Sequence, residues 1–248
     1  MRRVLDTIRN IDITVHSRFQ VDSIRPYGIP DERLGQGHFG IDTDRFLFNE
    51  KKYLERKEEI SKGKIRLLVI GRVEEEKGIR YLAEAMVGLV KEYPDIMLSL
   101  AGSKGNCSDW LFDYCRSNRL EENIKYLGMV ERDVLPEVVN DHDIVVVASL
   151  YEAFGMTMLE AMSCGKPIVA TRCGGPDEVV NEDIGILVSP RDAPALVDGI
   201  RCVITDYSRY DPRRIRGYVL RDYDYKVVKR RFSALYEKLL SEKKKCAV

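Results

Sequence analysis

Two glutamates, Glu152 and Glu160, flank the start of a predicted helix in the run Ser149-Leu-Tyr-Glu-Ala-Phe-Gly-Met-Thr-Met-Leu-Glu-Ala-Met-Ser-Cys-Gly-Lys-Pro-Ile-Val-Ala-Thr171. On one regular helix their spacing would set them about 80° apart. Phe154-Gly155 instead starts the helix after Glu152, which leaves Glu152 in a loop and Glu160 in the early turns. Carboxylates accept hydrogen bonds from hydroxyls, and the free backbone N–H groups near Gly155, Met156 and Thr157 attract an anion such as phosphate. The pattern therefore suits a polyol phosphate better than a bare anion.

Two cations are placed to join them. Arg72, after Gly71, and Lys77, before Gly78, offer a planar fork and a compact ammonium, a combination suited to a diphosphate. The plainer reading is a solvated helix start in which they pair with Glu74, Glu75 and Glu76.

Alternating elements must hold these residues. Ile65–Gly71, Ile96–Ala101, Ile124–Leu127, Asp143–Ser149, Pro167–Thr171 and Gly185–Val188 read as short buried strands. Helical periodicity separates them. Ile79, Leu82, Ala83, Met86, Leu89 and Val90 form one apolar stripe, closed by Pro94, and further helices are expected at Asp109–Asn118, Val134–Asn140, Met156–Ser163 and over much of Ala193–Leu240. Strands separated by helices predict an α/β fold with a doubly wound parallel sheet, whose ligands bind outside the carboxyl ends of the strands. The loops at Gly71–Arg72, Gly102–Gly105, Met129–Glu131 and Glu152–Thr157 should then converge on one rim.

Composition bounds the rest. The chain has 248 residues, of which 44% are hydrophobic and 32% charged, enough for one large or two modest cores. Forty basic and 40 acidic residues cancel, which removes any global electrostatic case for nucleic acid. Arg2 and Arg3 precede no long apolar run, and no stretch approaches the roughly 18 apolar residues of a membrane span. Six cysteines without a Cys-x-x-Cys pair predict reduced thiols in a cytoplasmic protein. The tail Lys243-Lys-Lys245 reads as a solvated helix end.

Other signals are expected to be structural. Asp141-His142-Asp143 has a spacing that can hold a divalent metal, but it lies at a helix-to-strand junction and reads as a turn. Gly102-Ser-Lys-Gly105, with Glu121 and Glu122 downstream, lacks the Gly-x-Gly pair of a dinucleotide site. With His16, His38 and His142 as the only histidines, no zinc site is expected. Cys164 and Cys173 read as small packed side chains.

Several segments, taken in order, resemble the retaining group 1 glycosyltransferases of the GT-B fold. They are Gly71-Arg-Val-Glu-Glu-Glu-Lys-Gly78, Tyr126-Leu-Gly-Met-Val130, Ser149 to Thr171, Cys173-Gly-Gly-Pro-Asp-Glu-Val-Val180 and Gly185-Ile-Leu-Val-Ser189. The resemblance covers about residues 10–240. It implies the carboxy-terminal, Rossmann-like half of that fold, which binds a nucleotide-diphosphate sugar without a metal or other cofactor. Arg72 and Lys77 would hold the diphosphate and meet the charge on the leaving group. Glu160 would take the ribose hydroxyls, and Glu152 the transferred sugar or its cationic transition state. Phe154, Gly155, Met156 and Thr157 would line the phosphate site beside Gly71 and Gly102, with Met129, Val130 and Glu131 against the base. The implied reaction transfers the sugar to an acceptor hydroxyl with retention of anomeric configuration.

On the same resemblance, residues 1–45 are the end of an amino-terminal domain and the crossover, 46–225 the donor-binding domain, and 226–248 a carboxy-terminal helix and tail. Asp12 to Phe19, Tyr27 to Glu32 and Gly40 to Phe46 carry that expectation, with Gly35-Gln-Gly-His-Phe39 in place of the apolar strand usual before Gly40. The acceptor half would then come from a separate amino-terminal domain or subunit, and the acceptor would be a carbohydrate or a lipid-linked molecule at the cytoplasmic membrane face. Two other readings stand beside transfer: a non-catalytic nucleotide-sugar-binding subunit that needs a partner, and a nucleotide-sugar epimerase.

Overall fold

The computed structural model describes residues 13–246 apart from 16, 32, 33 and 38. Arg2, Arg3, Asp12, His16, Glu32 and His38, and the side chains of Lys243, Lys244, Lys245 and Cys246, lie outside that description.

Short apolar runs rich in Val, Ile and Leu, too short for stable helices, build the sheet. After β1 (Ile13–Val15), α1 (Arg18–Ile24) and β2 (Leu34–Gln36), the chain forms α2 (Glu50–Ser61), β3 (Arg66–Ile70), α3 (Ile79–Glu92), β4 (Met97–Ala101) and α4 (Ser108–Asn118). It continues through β5 (Ile124–Gly128), α5 (Leu135–Asn140), β6 (Ile144–Val147), α6 (Met156–Ser163), β7 (Ile168–Thr171), α7 (Gly175–Val179) and β8 (Gly185–Val188). Helices α8 (Ala193–Thr205), α9 (Pro212–Asp222) and α10 (Tyr225–Cys246) end it.

Strands β3 to β8 form one six-stranded sheet in the order β5-β4-β3-β6-β7-β8, and every pairing is parallel. The predicted doubly wound α/β sheet is therefore present. Helix α3 packs on α4 and α8, and α6 packs on α5 and α9, so helices cover both faces. The residues of β7 are buried throughout, as a strand covered on both sides requires, whereas edge strand β5 alternates. Ile41 and Phe46 join the main core, and the segment between β2 and α2 is tied to the residue before α10 by a bridge from Ile41 to Asp224 and by Thr43 Oγ1 donating to Asp224 at 2.5 Å.

Three elements depart from the pattern the residues suggested. Gly35 and Gln36 do not abolish a strand before Gly40, since Leu34–Gln36 pairs in parallel with Ile13–Val15 as a separate two-stranded sheet. Helix α2 has no sequence signal of the usual kind. It is highly charged, and apart from Arg56 its positions lie exposed or half-buried. It is fixed by Asn49, whose side chain accepts from Lys52 N, and by Arg56, which donates to both carboxylate oxygens of Asp143 at 3.0 and 2.8 Å. Helix α7 is only one turn long, and its Asp177 accepts from Gly174 N at 2.8 Å.

Candidate donor-binding rim

The strand order reverses between β3 and β6: the chain leaves β3 for β4 on one side and β6 for β7 on the other. The carboxyl end of the sheet at such a switch point is the usual ligand position of this kind of fold. Lys77, at the end of a 3₁₀ turn after β3, reaches across the switch point to Glu152 in the loop after β6, with Nζ and Oε2 2.9 Å apart. Both side chains are about three-quarters buried or more, so this is not a loose surface pair. Leu150 N donates to Glu76 O at 2.7 Å and binds the same two loops through the backbone. The stem of Lys77 lies over the end of β3, since a Cβ on Gly71 would sit 4.0 Å from its Cε.

Helix α6 opens onto this pair. Its N-cap, Gly155, has φ 89°, a left-handed conformation that disfavours other residues, and no side chain caps the helix. The amides of the first turn therefore remain as donors at the positive end of the helix dipole. The Glu152 side chain lies alongside, its Cγ 3.7 Å from where a Cβ on Gly155 would be. Helix start, carboxylate and ammonium form one contiguous surface, with Met156 and Thr157 half-buried in it.

Glu160, in the second turn of α6, is different in kind. Its side chain is only 3% exposed and accepts from Arg132 Nη2 at 2.7 Å. Burial raises its carboxyl above the usual range, while the positive charges of Arg132 and Arg45 pull it back down. Arg132, in the loop after β5, also lies over the Phe46 ring at 5.7 Å, which fixes the guanidinium in place. Nothing in the sequence around Arg132 marks it for this contact. An exposed arginine in Glu131-Arg-Asp133 looks like any surface charge until the fold brings a buried carboxylate to it.

The remaining expected residues fall on the same edge in different roles. Arg72 pairs with Glu74 at 2.9 Å and approaches Glu76 at 3.9 Å, the plainer of the two arrangements its neighbours allow, and stays well exposed. Gly102 abuts Gly71, where a Cβ would stand 2.0 Å from Gly71 O, and Gly102 N donates to Gly128 O at 2.8 Å. The ends of β3, β4 and β5 are thereby laid edge to edge. Met129 is 75% exposed and Glu131 exposed, while Val130 packs against the core. The Phe154 ring is buried, 5.8 Å from Tyr223 and 5.9 Å from Phe39, so what it presents to the rim is its backbone.

Asp141-His142-Asp143 lies at the opposite, amino-terminal end of β6. Asp141 pairs with Lys52, Asp143 with Arg56, and His142 Nδ1 is 2.6 Å from Val138 O. Among the described residues no group of three or more His, Cys, Asp or Glu is arranged to hold a metal ion. Burial pushes the Cys164 thiol up to about 12 and the Cys173 thiol up to about 11, values that suit packing rather than nucleophilic chemistry. No helix among the described residues is long and apolar enough to cross a membrane.

Known proteins share this fold. The family described as glycosyl transferases group 1 matches residues 50–218. An uncharacterised glycosyltransferase from Methanocaldococcus jannaschii is 30% identical over 200 residues, which is 79% of this chain and 51% of the relative. Among solved structures, sucrose-phosphate synthase from Thermosynechococcus elongatus superposes with a TM-score of 0.83 at 24% identity, covering 96% of this chain and 61% of that one. Anabaena HepE in complex with UDP superposes with a TM-score of 0.78 at 23% identity, covering 92% of this chain and 63% of that one. The chain spans about half the length of the curated relatives it matches.

Proposed function

Because the chain belongs to the group 1 glycosyl transferases, we propose that its rim binds a nucleotide-diphosphate sugar and serves as the donor half of a retaining glycosyltransferase. The observation that carries this reading is the Lys77–Glu152 pair, set across the switch point of the sheet and directly before the uncapped start of α6. A diphosphate needs positive charge and backbone donors, and a sugar needs an acceptor for its hydroxyls. All three meet there. The complex of Anabaena HepE with UDP, on the same fold, supports a nucleoside diphosphate as the ligand class.

In this reading Lys77 and the first-turn amides of α6 take the diphosphate, and Arg72 turns from Glu74 toward it. They act mainly when the bond to the sugar breaks, since negative charge then accumulates on the leaving oxygen. Glu160 accepts from the ribose hydroxyls, and Glu152 faces the sugar while holding Lys77 in position. Retention follows if the leaving diphosphate and the entering hydroxyl share one face of an oxocarbenium-like sugar. Transfer is proposed for this domain acting with an amino-terminal domain or subunit that binds the acceptor, a carbohydrate or lipid-linked hydroxyl.

Calorimetric titration with UDP, GDP and ADP, each with and without a sugar, tests the reading. One of the three should bind, and Lys77→Ala should weaken that diphosphate by about 10- to 100-fold, the worth of a charge-assisted hydrogen bond, while affecting the monophosphate less. Unchanged affinity in both Lys77→Ala and Glu160→Ala would contradict it.

A further inference from the structure

Glu152 is held by its backbone from behind. Its N–H donates to Cys173 O at 3.0 Å and its carbonyl accepts from Gly175 N at 2.6 Å, forming a bridge to Gly174. The residues on either side of it are gripped by a distant part of the chain. Ser17 Oγ donates to Ala153 O at 2.8 Å, the Phe19 ring meets the Tyr151 ring edge-on at 5.0 Å, and the Phe39 ring meets that of Phe154 at 5.9 Å. Phe19 also closes the back of the bridge. Gly174 has φ 121°, and a Cβ there would be 2.7 Å from both the Phe19 ring and Glu152 O.

The gripping side chains are themselves fixed. Ser17 is buried, and its Oγ caps α1 by accepting from Gln20 N at 3.2 Å while it donates to Ala153. Phe19 N donates to Glu178 of α7 at 3.3 Å. One helix start thus touches both sides of the bridge, and these contacts concern Tyr151, Ala153 and Gly174 rather than Arg72, Lys77 or Glu160 themselves.

We infer that Ser17 and Phe19 are positioning residues for Glu152: the start of α1 clamps the 151–154 loop, so that where that helix start sits determines where the Glu152 carboxylate points. Ligand parts read by other loops depend less on the clamp. Displacing it therefore costs most at the sugar, less at the diphosphate, which Glu152 reaches only through the Lys77 pair and the neighbouring start of α6, and least at the ribose on Glu160, a consequence that rests on the donor-site reading above.

Amide hydrogen exchange on the ligand-free chain tests the clamp alone. In Phe19→Ala, and in the milder Ser17→Ala, peptides covering 149–157 and 172–176 should exchange about tenfold faster, as expected when contacts that suppress a local opening are removed. Peptides covering 97–118 should not change, and Phe19→Tyr, which keeps the ring contact, should behave as wild type. Calorimetry adds the functional arm. Affinity for the bound nucleoside diphosphate should fall by about two- to threefold through Lys77 and the start of α6, while the extra affinity of its sugar conjugate falls by about a further five- to tenfold. Unchanged exchange in both alanine variants overturns the inference, as does an equal loss for the diphosphate and its sugar conjugate. Absence of nucleotide binding in the wild-type chain refutes the donor site instead, and leaves the exchange arm to decide the clamp.

Discussion

Lys166 offers a test of the fold's electrostatics that is independent of any ligand. It is 2% exposed, follows the turn after α6, and donates through Nζ to Asn140 O at 3.0 Å. The carboxylate that attracts it most, Asp143, already accepts from Arg56 twice and from Arg66 N at 2.7 Å, so it offers Lys166 limited compensation. Burial pushes the Lys166 ammonium down to about 8 from the ordinary lysine value of 10.5, against the attraction of Asp143. Below about pH 8 the folded state must hold a charge it disfavours, a cost of about 3 kcal/mol by linkage. Between about 8 and 10.5 the unfolded chain binds more protons than the folded one, so this cost fades as the pH rises. Lys166→Met removes the charge with little change of shape and also removes the hydrogen bond to Asn140 O, a loss of about 1 kcal/mol that does not depend on pH. The comparison is therefore between two pH values. The stability of Lys166→Met relative to wild type should decrease by about 2 kcal/mol from about pH 7 to about pH 9.5, read from urea unfolding midpoints and slopes. A difference constant to within about 0.5 kcal/mol would refute the reasoning.

Arg132→Ala should make nucleotide affinity fall more steeply than in wild type as the pH is lowered, since Glu160, raised by burial and no longer held down by Arg132, gains a proton more readily in that direction. Calorimetry at several pH values checks it, and curves parallel to wild type would remove Arg132 from the account. Gly102→Ala should lower the melting temperature by an amount corresponding to about 1–3 kcal/mol and weaken nucleotide binding with it, because the added methyl meets Gly71 O beneath Lys77. Among Cys107, Cys115, Cys164, Cys173 and Cys202, only exposed Cys202 should react rapidly with a thiol reagent in the native state, and mass mapping of the labelled sites reads this directly.

The parallel sheet was legible because its strands are short apolar runs with little competing signal. Gly185–Val188 carries no helical periodicity, and Phe154-Gly155 marks a start that the left-handed Gly155 then explains. Helix α2 was not legible for the opposite reason: its surface is charged nearly all round, and its one fully buried side chain is an arginine whose partner, Asp143, lies 87 residues away. The site divides in the same way. Glu152, Lys77 and the helix start are local features of two loops, and their mutual contact needs only the strand order. Arg132 and the grip of Ser17 and Phe19 are pairings over long separations, and neither residue type nor spacing announces them. The Phe154 side chain shows the limit of reading a rim from its loop sequence, because a residue in a rim loop can turn its side chain into the core.

The most direct test of the donor rim is a crystal structure of this chain with the nucleoside diphosphate that calorimetry selects. The account predicts phosphate oxygens within hydrogen-bond distance of Lys77 Nζ and of the amides at residues 155–157, with the ribose hydroxyls on Glu160. A nucleotide bound elsewhere, with the Lys77–Glu152 pair and the start of α6 left uncovered, would contradict it.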